Sequence, residues 1–305
     1  MHRLAVGSCV AYWKNNGKER FMQQEDKIRE LQVFAQQIRV ETIRALATLG
    51  FGHTGGTMSV TEALAVLYGG IMKIDPQNPG WEERDWCVMS KGHAGPAVYA
   101  ALGLKGFFPL ENIYTLNQPH TDFPSHTDRL KTPGVDMTTG SLGQGISAAV
   151  GIAYANRLDG RDNHVFVILG DGECDEGQVW ESAQFAAHYG LDRLICLVDN
   201  NKRQLDGLCS EVMSHGEGIG AKFRACGWDV AEVRDGNDVE QVYEAVDRAY
   251  HNVGKPACII LNTVKGKGLP LAEQTGAHFS SFSAEQWHET LAFAQRELER
   301  LTAQA

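Results

Sequence analysis

Apolar positions along the first part of the chain follow a helical spacing. Between residues 24 and 49 they recur every three or four positions, as on one face of a helix. A glycine-rich break occupies residues 50–56, and a second helical pattern covers residues 59–68. Ser59, with Glu62 three residues later, predicts a capping box at the start of this second helix.

Further along the chain, short continuous apolar runs indicate buried strands at residues 86–89, 165–169, 194–198, 230–233 and 257–261. Helical patterns separate or follow them at residues 94–104, 145–158, 177–189, 238–252 and 283–301. Residues 105–135 contain four prolines and little periodicity, which predicts a long loop. Continuous apolar strands that alternate with helices predict an α/β fold of three layers, αβα, with a mainly parallel sheet.

No linker or internal repeat divides the 305 residues, which favours one domain over residues 22–305. Residues 1–21 are weakly patterned, and we expect a disordered N-terminal extension there. The net charge of -10 argues against nucleic acid as a partner, and no apolar run reaches membrane-spanning length. The seven cysteines form no CxxC pair, which indicates a reducing, cytoplasmic setting without a disulfide framework or a zinc site.

Two turns at the ends of successive predicted strands carry candidate chemistry. Gly170-Asp171-Gly172 follows one strand, and Asn201 follows the next, thirty residues after Asp171. Either turn alone is equally compatible with an ordinary connection. Together, at neighbouring strand ends, they bring a carboxylate and an amide oxygen to the edge where ligands of parallel sheets bind. With a backbone carbonyl and two phosphate oxygens, this set suits Mg²⁺.

These motifs resemble those of the transketolase family, and the resemblance covers residues 28–290. The Gly-Asp-Gly turn with its later asparagine is similar to the family's thiamine-diphosphate signature. The segment TTGSLGQG at residues 138–145 resembles the TTGxLGQG loop. Gly52-His53, the stretch at residues 91–94 and Ser125-His126 resemble the family's three amino-terminal histidine motifs.

The resemblance implies a role for each matching residue. Mg²⁺, which Ca²⁺ or Mn²⁺ can replace, would be bound by Asp171, Asn201 and the backbone carbonyl of Arg203. Thiamine diphosphate would be held by His93, Gly140, Ser141, Leu142, Asp171, Gly172, Glu176, Asn201 and His278. The catalytic set would comprise His53, His93, His126, His278, Glu176 and Glu181, of which the two glutamates would link active sites across a dimer interface. The family often has glycine after this last histidine, whereas Phe279 follows His278 here.

The resemblance also implies what the chain lacks. The glutamate that activates the cofactor lies in a second, carboxyl-terminal domain of the family, and this sequence stops at Ala305 before any such domain. We therefore expect the partner to be a separate C-terminal subunit, with two copies of each chain in a heterotetramer. The implied reaction transfers a two-carbon ketol unit from a ketose or ketose phosphate to an aldose or aldose phosphate, as in the pentose phosphate pathway.

Two other interpretations remain open at this point. One is a subunit of a different thiamine-diphosphate enzyme, such as a dehydrogenase or a synthase. The other is a non-catalytic protein that keeps the cofactor fold. The TTGSLGQG loop and His53, His93 and His126 favour the transketolase interpretation over the first. The retained Asp171 and Asn201 argue against the second.

Overall fold

The computed structural model of the chain describes the backbone of residues 6–304 and the side chains of residues 24–304. Its strands are, in chain order, β1 (Phe51–Gly52), β2 (Trp86–Met89), β3 (Val165–Gly170), β4 (Leu194–Asn200), β5 (Asp229–Val233), β6 (Ala257–Asn262) and β7 (Ser280–Ser281). The order β2-β3-β4-β6-β5 forms one fully parallel sheet, and β1 pairs with β7 in a separate antiparallel ladder. The predicted sheet and its five strands are thus confirmed.

Eleven α-helices accompany these strands in the described part of the chain. They are α1 (Val6–Leu49), α2 (Thr54–Met58), α3 (Thr61–Val66), α4 (Gly95–Lys105), α5 (Gln144–Leu158), α6 (Gly177–His188), α7 (Cys209–Val212), α8 (Ile219–Ala225), α9 (Val239–Tyr250), α10 (Pro270–Thr275) and α11 (Ala284–Ala303). None of them, over the residues that the structure describes, combines the length and apolar character needed to span a bilayer.

Each face of the sheet is covered by its own hydrophobic core, because alternate strand residues point to opposite sides. Phe166 and Ile168 of β3 belong to a core shared with α1, α3, α4 and α9. Val167 and Leu169 belong to a second core shared with α5, α6 and α8. Burial on both sides explains why the strands are continuously apolar, and it completes the three-layer αβα arrangement.

The amino-terminal helix is longer than its apolar pattern. It runs over Val6–Leu49, whereas the periodicity predicts only residues 24–49. Residues 1–5 lie outside the described residues, as do the side chains before residue 24. The division into a disordered extension of residues 1–21 and a domain of residues 22–305 therefore stays a prediction.

The predicted capping box at Ser59 is wrong. Helix α3 begins after Val60, and no side chain caps its first turn. The Ser59 hydroxyl instead donates to Asp199 at the end of β4, and Glu62 accepts from Arg39 of α1 at 2.6 Å. Both side chains therefore bond to residues distant in sequence and not to the first turn of the helix. The bond from Ser59 connects this segment to the edge of the sheet where the candidate site lies.

Candidate active site

The two predicted turns meet at the carboxyl edge of the sheet. Gly170, the last residue of β3, pairs with Asp199 of β4, so Asp171 and Asn201 follow neighbouring strand ends. Both side chains are buried. The pairing of β3 with β4 confirms that the two turns are adjacent, as the order of the strands in the sequence indicates.

An open cavity lies at this edge, with about 620 Å³ of empty space when the adjoining solvent is included. Lys91, Glu173, Gln204 and Lys265 line it. The cavity is also lined by seven residues that the sequence predicts for cofactor or metal binding. They are His93, Leu142, Asp171, Gly172, Asn201, Arg203 and His278.

Histidines from four separate loops form one cluster, which continues from the cavity. His53 is central, with ring centroids 5.5 Å from His93, 5.4 Å from His126 and 5.3 Å from His278. The rings of His93 and His278 are 4.7 Å apart. Histidines that are far apart in sequence therefore lie close together. The order of the motifs along the chain does not by itself predict this proximity.

Burial favours the neutral form of these imidazoles. It lowers the pKa of His53 and His126, and burial together with nearby Lys91 lowers that of His93 far below its usual range. Burial and Lys265 lower the pKa of His278 to about 4. A neutral imidazole offers one donor and one acceptor nitrogen, so the cluster can hydrogen-bond hydroxyl and carbonyl groups and move protons between them.

The predicted metal ligands supply oxygen atoms of the type that Mg²⁺ prefers. Asp171 offers a carboxylate, Asn201 an amide oxygen and Arg203 its backbone carbonyl, and phosphate or water oxygens would complete the coordination. The described residues hold no group of three or more His, Cys, Asp or Glu side chains suited to a metal.

Two features of the cavity fit an anionic diphosphate. The Lys265 ammonium group, which donates to the Arg203 carbonyl at 2.8 Å, brings a positive charge to the cavity. Burial, opposed in part by Asp171, lowers the pKa of Lys265 to about 8. Among the described residues, the buried side-chain nitrogen of Gln204 has no hydrogen-bond partner. Gln204 lines the cavity, where a phosphate oxygen would satisfy this nitrogen.

A buried ion pair orients the amide ligand. Lys91 Nζ lies 2.5 Å from Asp199 Oδ2, and both side chains are almost completely inaccessible to solvent. Asp199 Oδ2 also accepts from Asn201 Nδ2 at 2.9 Å. This bond directs the amide nitrogen of Asn201 toward Asp199, and it leaves the amide oxygen on the other side for Arg203 N–H or a cation.

Four predicted residues outside the histidine cluster, Gly140 among them, do not line the cavity. Glu176 and Glu181 are exposed, on α6 and the turn before it, and Ser141 is exposed beside Leu142. Gly140 lies next to the His126 ring, because a Cβ placed on it would stand 3.0 Å from His126 Cδ2. The roles of all these residues in catalysis or cofactor binding stay predictions.

Several cavity residues were not predicted from the sequence. Lys91 and Lys265 stand in glycine-flanked stretches that are typical of surface loops, and Glu173 resembles one more acid in an acidic turn. Their burial is the feature that distinguishes them, and burial of a polar side chain in a loop leaves no periodic signal. Phe279 packs edge-on against His53, at 5.2 Å between ring centroids, and its place after His278 is visible in the sequence.

Comparison with known proteins shows the family to which the chain is related. Residues 31–294 match the family described as transketolase, thiamine diphosphate binding domain. The chain is 49% identical over 269 residues to the 6-deoxy-6-sulfo-D-fructose transketolase subunit SqwG of Clostridium sp. (strain MSTE9). It is 33% identical over 276 residues to an apulose-4-phosphate transketolase subunit of Phocaeicola vulgatus. These matches cover 88% and 90% of the chain, and 97% of each relative.

Other relatives are much longer than the chain. Transketolase-like protein 2 of Bos taurus is 38% identical over 86% of this chain, which spans only 40% of that protein. The crystal structure of a Pichia stipitis transketolase in complex with sedoheptulose-7-phosphate matches 90% of the chain at a TM-score of 0.76 and 27% identity. The chain spans 46% of that structure. It therefore corresponds in length to the subunit relatives and to about half of the long ones.

Proposed function

The chain belongs to the transketolase family as an N-terminal, thiamine-diphosphate-binding subunit, and from this premise we propose that it transfers a two-carbon ketol unit from a ketose to an aldose together with a C-terminal subunit. The observation that carries the proposal is the convergence of four histidines beside the cavity at the carboxyl edge of the sheet. Hydroxyl-rich sugars present the donors and acceptors that such a cluster can bind.

When bound, thiamine diphosphate supplies a thiazolium carbanion that acts as nucleophile and electron sink. The residues of this chain hold and orient the cofactor and the sugar. Asp171, Asn201 and the Arg203 carbonyl would bind Mg²⁺, and Gly172 with the loop at residues 140–142 would contact the cofactor. His53 and His126 would hydrogen-bond sugar hydroxyls, while His93 and His278 lie nearer the cofactor side of the cavity.

An incomplete cavity supports the need for a partner. Leu142 and Leu205 line it yet remain 39% and 71% exposed, and Phe279 beside the histidines is 47% exposed. Apolar side chains around an open cofactor site are suited to burial by another chain. We therefore include in the proposal a C-terminal subunit that covers this rim and supplies the activating glutamate, with two copies of each chain and a cytoplasmic location.

The proposed donor is a ketose with an anionic group at the end opposite its carbonyl. The two subunit relatives are named for 6-deoxy-6-sulfo-D-fructose and for apulose-4-phosphate, which carry a sulfonate and a phosphate. The higher identity to the first relative favours the sulfonate. Transfer should be compared among 6-deoxy-6-sulfo-D-fructose, fructose 6-phosphate and uncharged fructose, in the presence of the partner subunit, thiamine diphosphate and Mg²⁺. We expect fructose to be the poorest donor.

The variant Asp171→Asn tests the metal part of the proposal. Because it removes the one carboxylate of the predicted ligand set, we expect the Mg²⁺ concentration needed for half-maximal transfer to rise by roughly a hundredfold. Asp159→Asn, which changes an exposed carboxylate at the end of α5, is the matched control and should leave it unchanged. If the unaltered chain with its partner binds the cofactor but transfers a ketol unit from none of these ketoses, the result would instead support a non-catalytic protein.

A further inference from the structure

Glu173 is a buried carboxylate that contacts three cofactor loops at once. Only 2% of the residue is exposed, although it stands in a turn between β3 and α6 and lines the cavity. Its Oε1 accepts from the Ser90 hydroxyl and from Gly143 N–H at 2.9 Å. Its Oε2 accepts from Gly170 N–H at 3.0 Å. All of these donors are backbone or short side-chain groups, so the carboxylate fixes their positions closely.

Each bonded loop carries a residue predicted for cofactor binding. Ser90 precedes the loop of His93, Gly143 ends the loop that contains Leu142, and Gly170 begins the turn of Asp171. The other carboxylate that lines the cavity, Asp171, does not connect these three loops. It accepts from the N–H groups of Gly172 and Lys202. Glu173 is therefore the common point of contact between the loops.

Helix α5 adds a reason for a negative charge at this point. Gly143 is the residue before the helix, it has a φ of 81°, and no side chain of its own first turn caps the helix. The left-handed conformation suits glycine, which has no side chain to serve as a cap. The Glu173 carboxylate lies at the positive end of the helix, where it accepts the N–H of Gly143 itself.

We propose that Glu173 is a positioning residue for thiamine diphosphate: its carboxylate holds the loops of His93, Leu142 and Asp171 in one arrangement before the cofactor binds. This inference rests on the proposed function, because it concerns the same cavity. It predicts that loss of the carboxylate weakens cofactor binding more than it weakens the fold. Binding would then have to order loops that Glu173 orders in the intact protein.

The decisive variant is Glu173→Gln, which keeps the shape of the side chain. Its amide nitrogen cannot accept, so at least one bond to Gly143 or Gly170 is replaced by two facing donors. The matched control is Asp136→Asn, another buried carboxylate, which accepts from Arg84 and from Cys87 N–H outside the cavity. Both variants should lower the melting temperature measured without cofactor.

The readout that separates positioning from stability is the dissociation constant of thiamine diphosphate, measured by calorimetry with Mg²⁺ and the partner subunit. We expect it to rise on the order of tenfold or more for Glu173→Gln and to stay unchanged for Asp136→Asn. Activity of Glu173→Gln should recover at saturating cofactor. Equal changes in both variants, or an unchanged constant in Glu173→Gln, would overturn the inference.

A second variant covers the case in which Glu173→Gln does not fold. Ser90→Ala removes one donor to the carboxylate and leaves the bonds from Gly143 and Gly170 in place. It should weaken cofactor binding in the same direction by a smaller factor, and no weakening would count against the inference. If the unaltered protein with its partner binds no thiamine diphosphate at all, the proposed function fails, which is a different result.

Discussion

At the scale of single residues, the ion pair between Lys91 and Asp199 joins the fold to the site. Burial alone would raise the pKa of Asp199, but Lys91 and the hydroxyls of Ser59 and Thr263 leave it below its ordinary value. The carboxylate is therefore charged, and its four donors come from four parts of the chain. A charge buried with this many partners becomes costly when one partner is removed.

We predict that Lys91→Met lowers the free energy of unfolding by about 3–5 kcal/mol, because it leaves the Asp199 charge buried without its counter-charge. Urea unfolding without cofactor measures this change. The control is Arg224→Met, which breaks an ion pair whose side chains are about half exposed and should cost less than about 1 kcal/mol. Similar losses in the two variants would show that Lys91 contributes no more than a surface residue.

The sequence contained part of the candidate site at this scale. His53, His93 and His126 were found because they stand in motifs of a resembled family, and Asp171 and Asn201 because they follow apolar runs. Lys91, Glu173 and Lys265 were missed, since their partners lie far away along the chain. Which polar side chain is buried depends on tertiary packing, and neither spacing nor composition reports it.

At the scale of elements, the strands of the main sheet and most long helices were predicted well, whereas the start of α1 and the short elements were not. The strands β2 to β6 are buried on both faces, so their apolar runs are continuous and easy to find. The ladder between β1 and β7 has two residues in each strand, which is too few for a periodic pattern. Its pairing depends on the packing of segments from the two ends of the chain.

One contact between elements predicts a pH dependence of stability. His164, just before β3, stacks on Tyr250 at the end of α9, with 3.8 Å between ring centroids. Burial and Arg193 lower the pKa of His164 to about 4, and its ring nitrogen Nδ1 has no hydrogen-bond partner within the described part of the chain. The unfolded chain therefore binds a proton near pH 6.5, where the folded chain does not.

We predict that His164 lowers the free energy of unfolding as the pH falls from about 6.5 to about 4. In that range its imidazole is protonated in the unfolded chain and not in the folded chain. His164→Phe keeps the stacking and cannot be protonated. As the pH is lowered across this range, the free energy of unfolding should therefore fall less steeply for the variant than for the unaltered protein. The two slopes should differ by up to about 1.4 kcal/mol per pH unit. The cavity histidines are present in both proteins and cancel. Parallel curves would contradict the prediction.

At the scale of the whole molecule, the cofactor cavity is formed by one edge of the sheet and is open on its other side. The chain supplies the cavity floor, the four histidines and the predicted metal ligands. Exposed Leu205 and Phe279 stand at its rim. This geometry and the relatives named as subunits support the proposed second chain, to which the sequence points only through the resemblance.

The most direct test of the account is ketol transfer by this chain alone and in an equimolar mixture with a C-terminal transketolase subunit. Thiamine diphosphate, Mg²⁺, an anionic ketose and an aldose phosphate are present in both assays. We predict transfer only in the mixture, because the activating glutamate and the cover of the cavity come from the partner. Transfer by the chain alone would contradict the account, since the chain would then contain a complete active site.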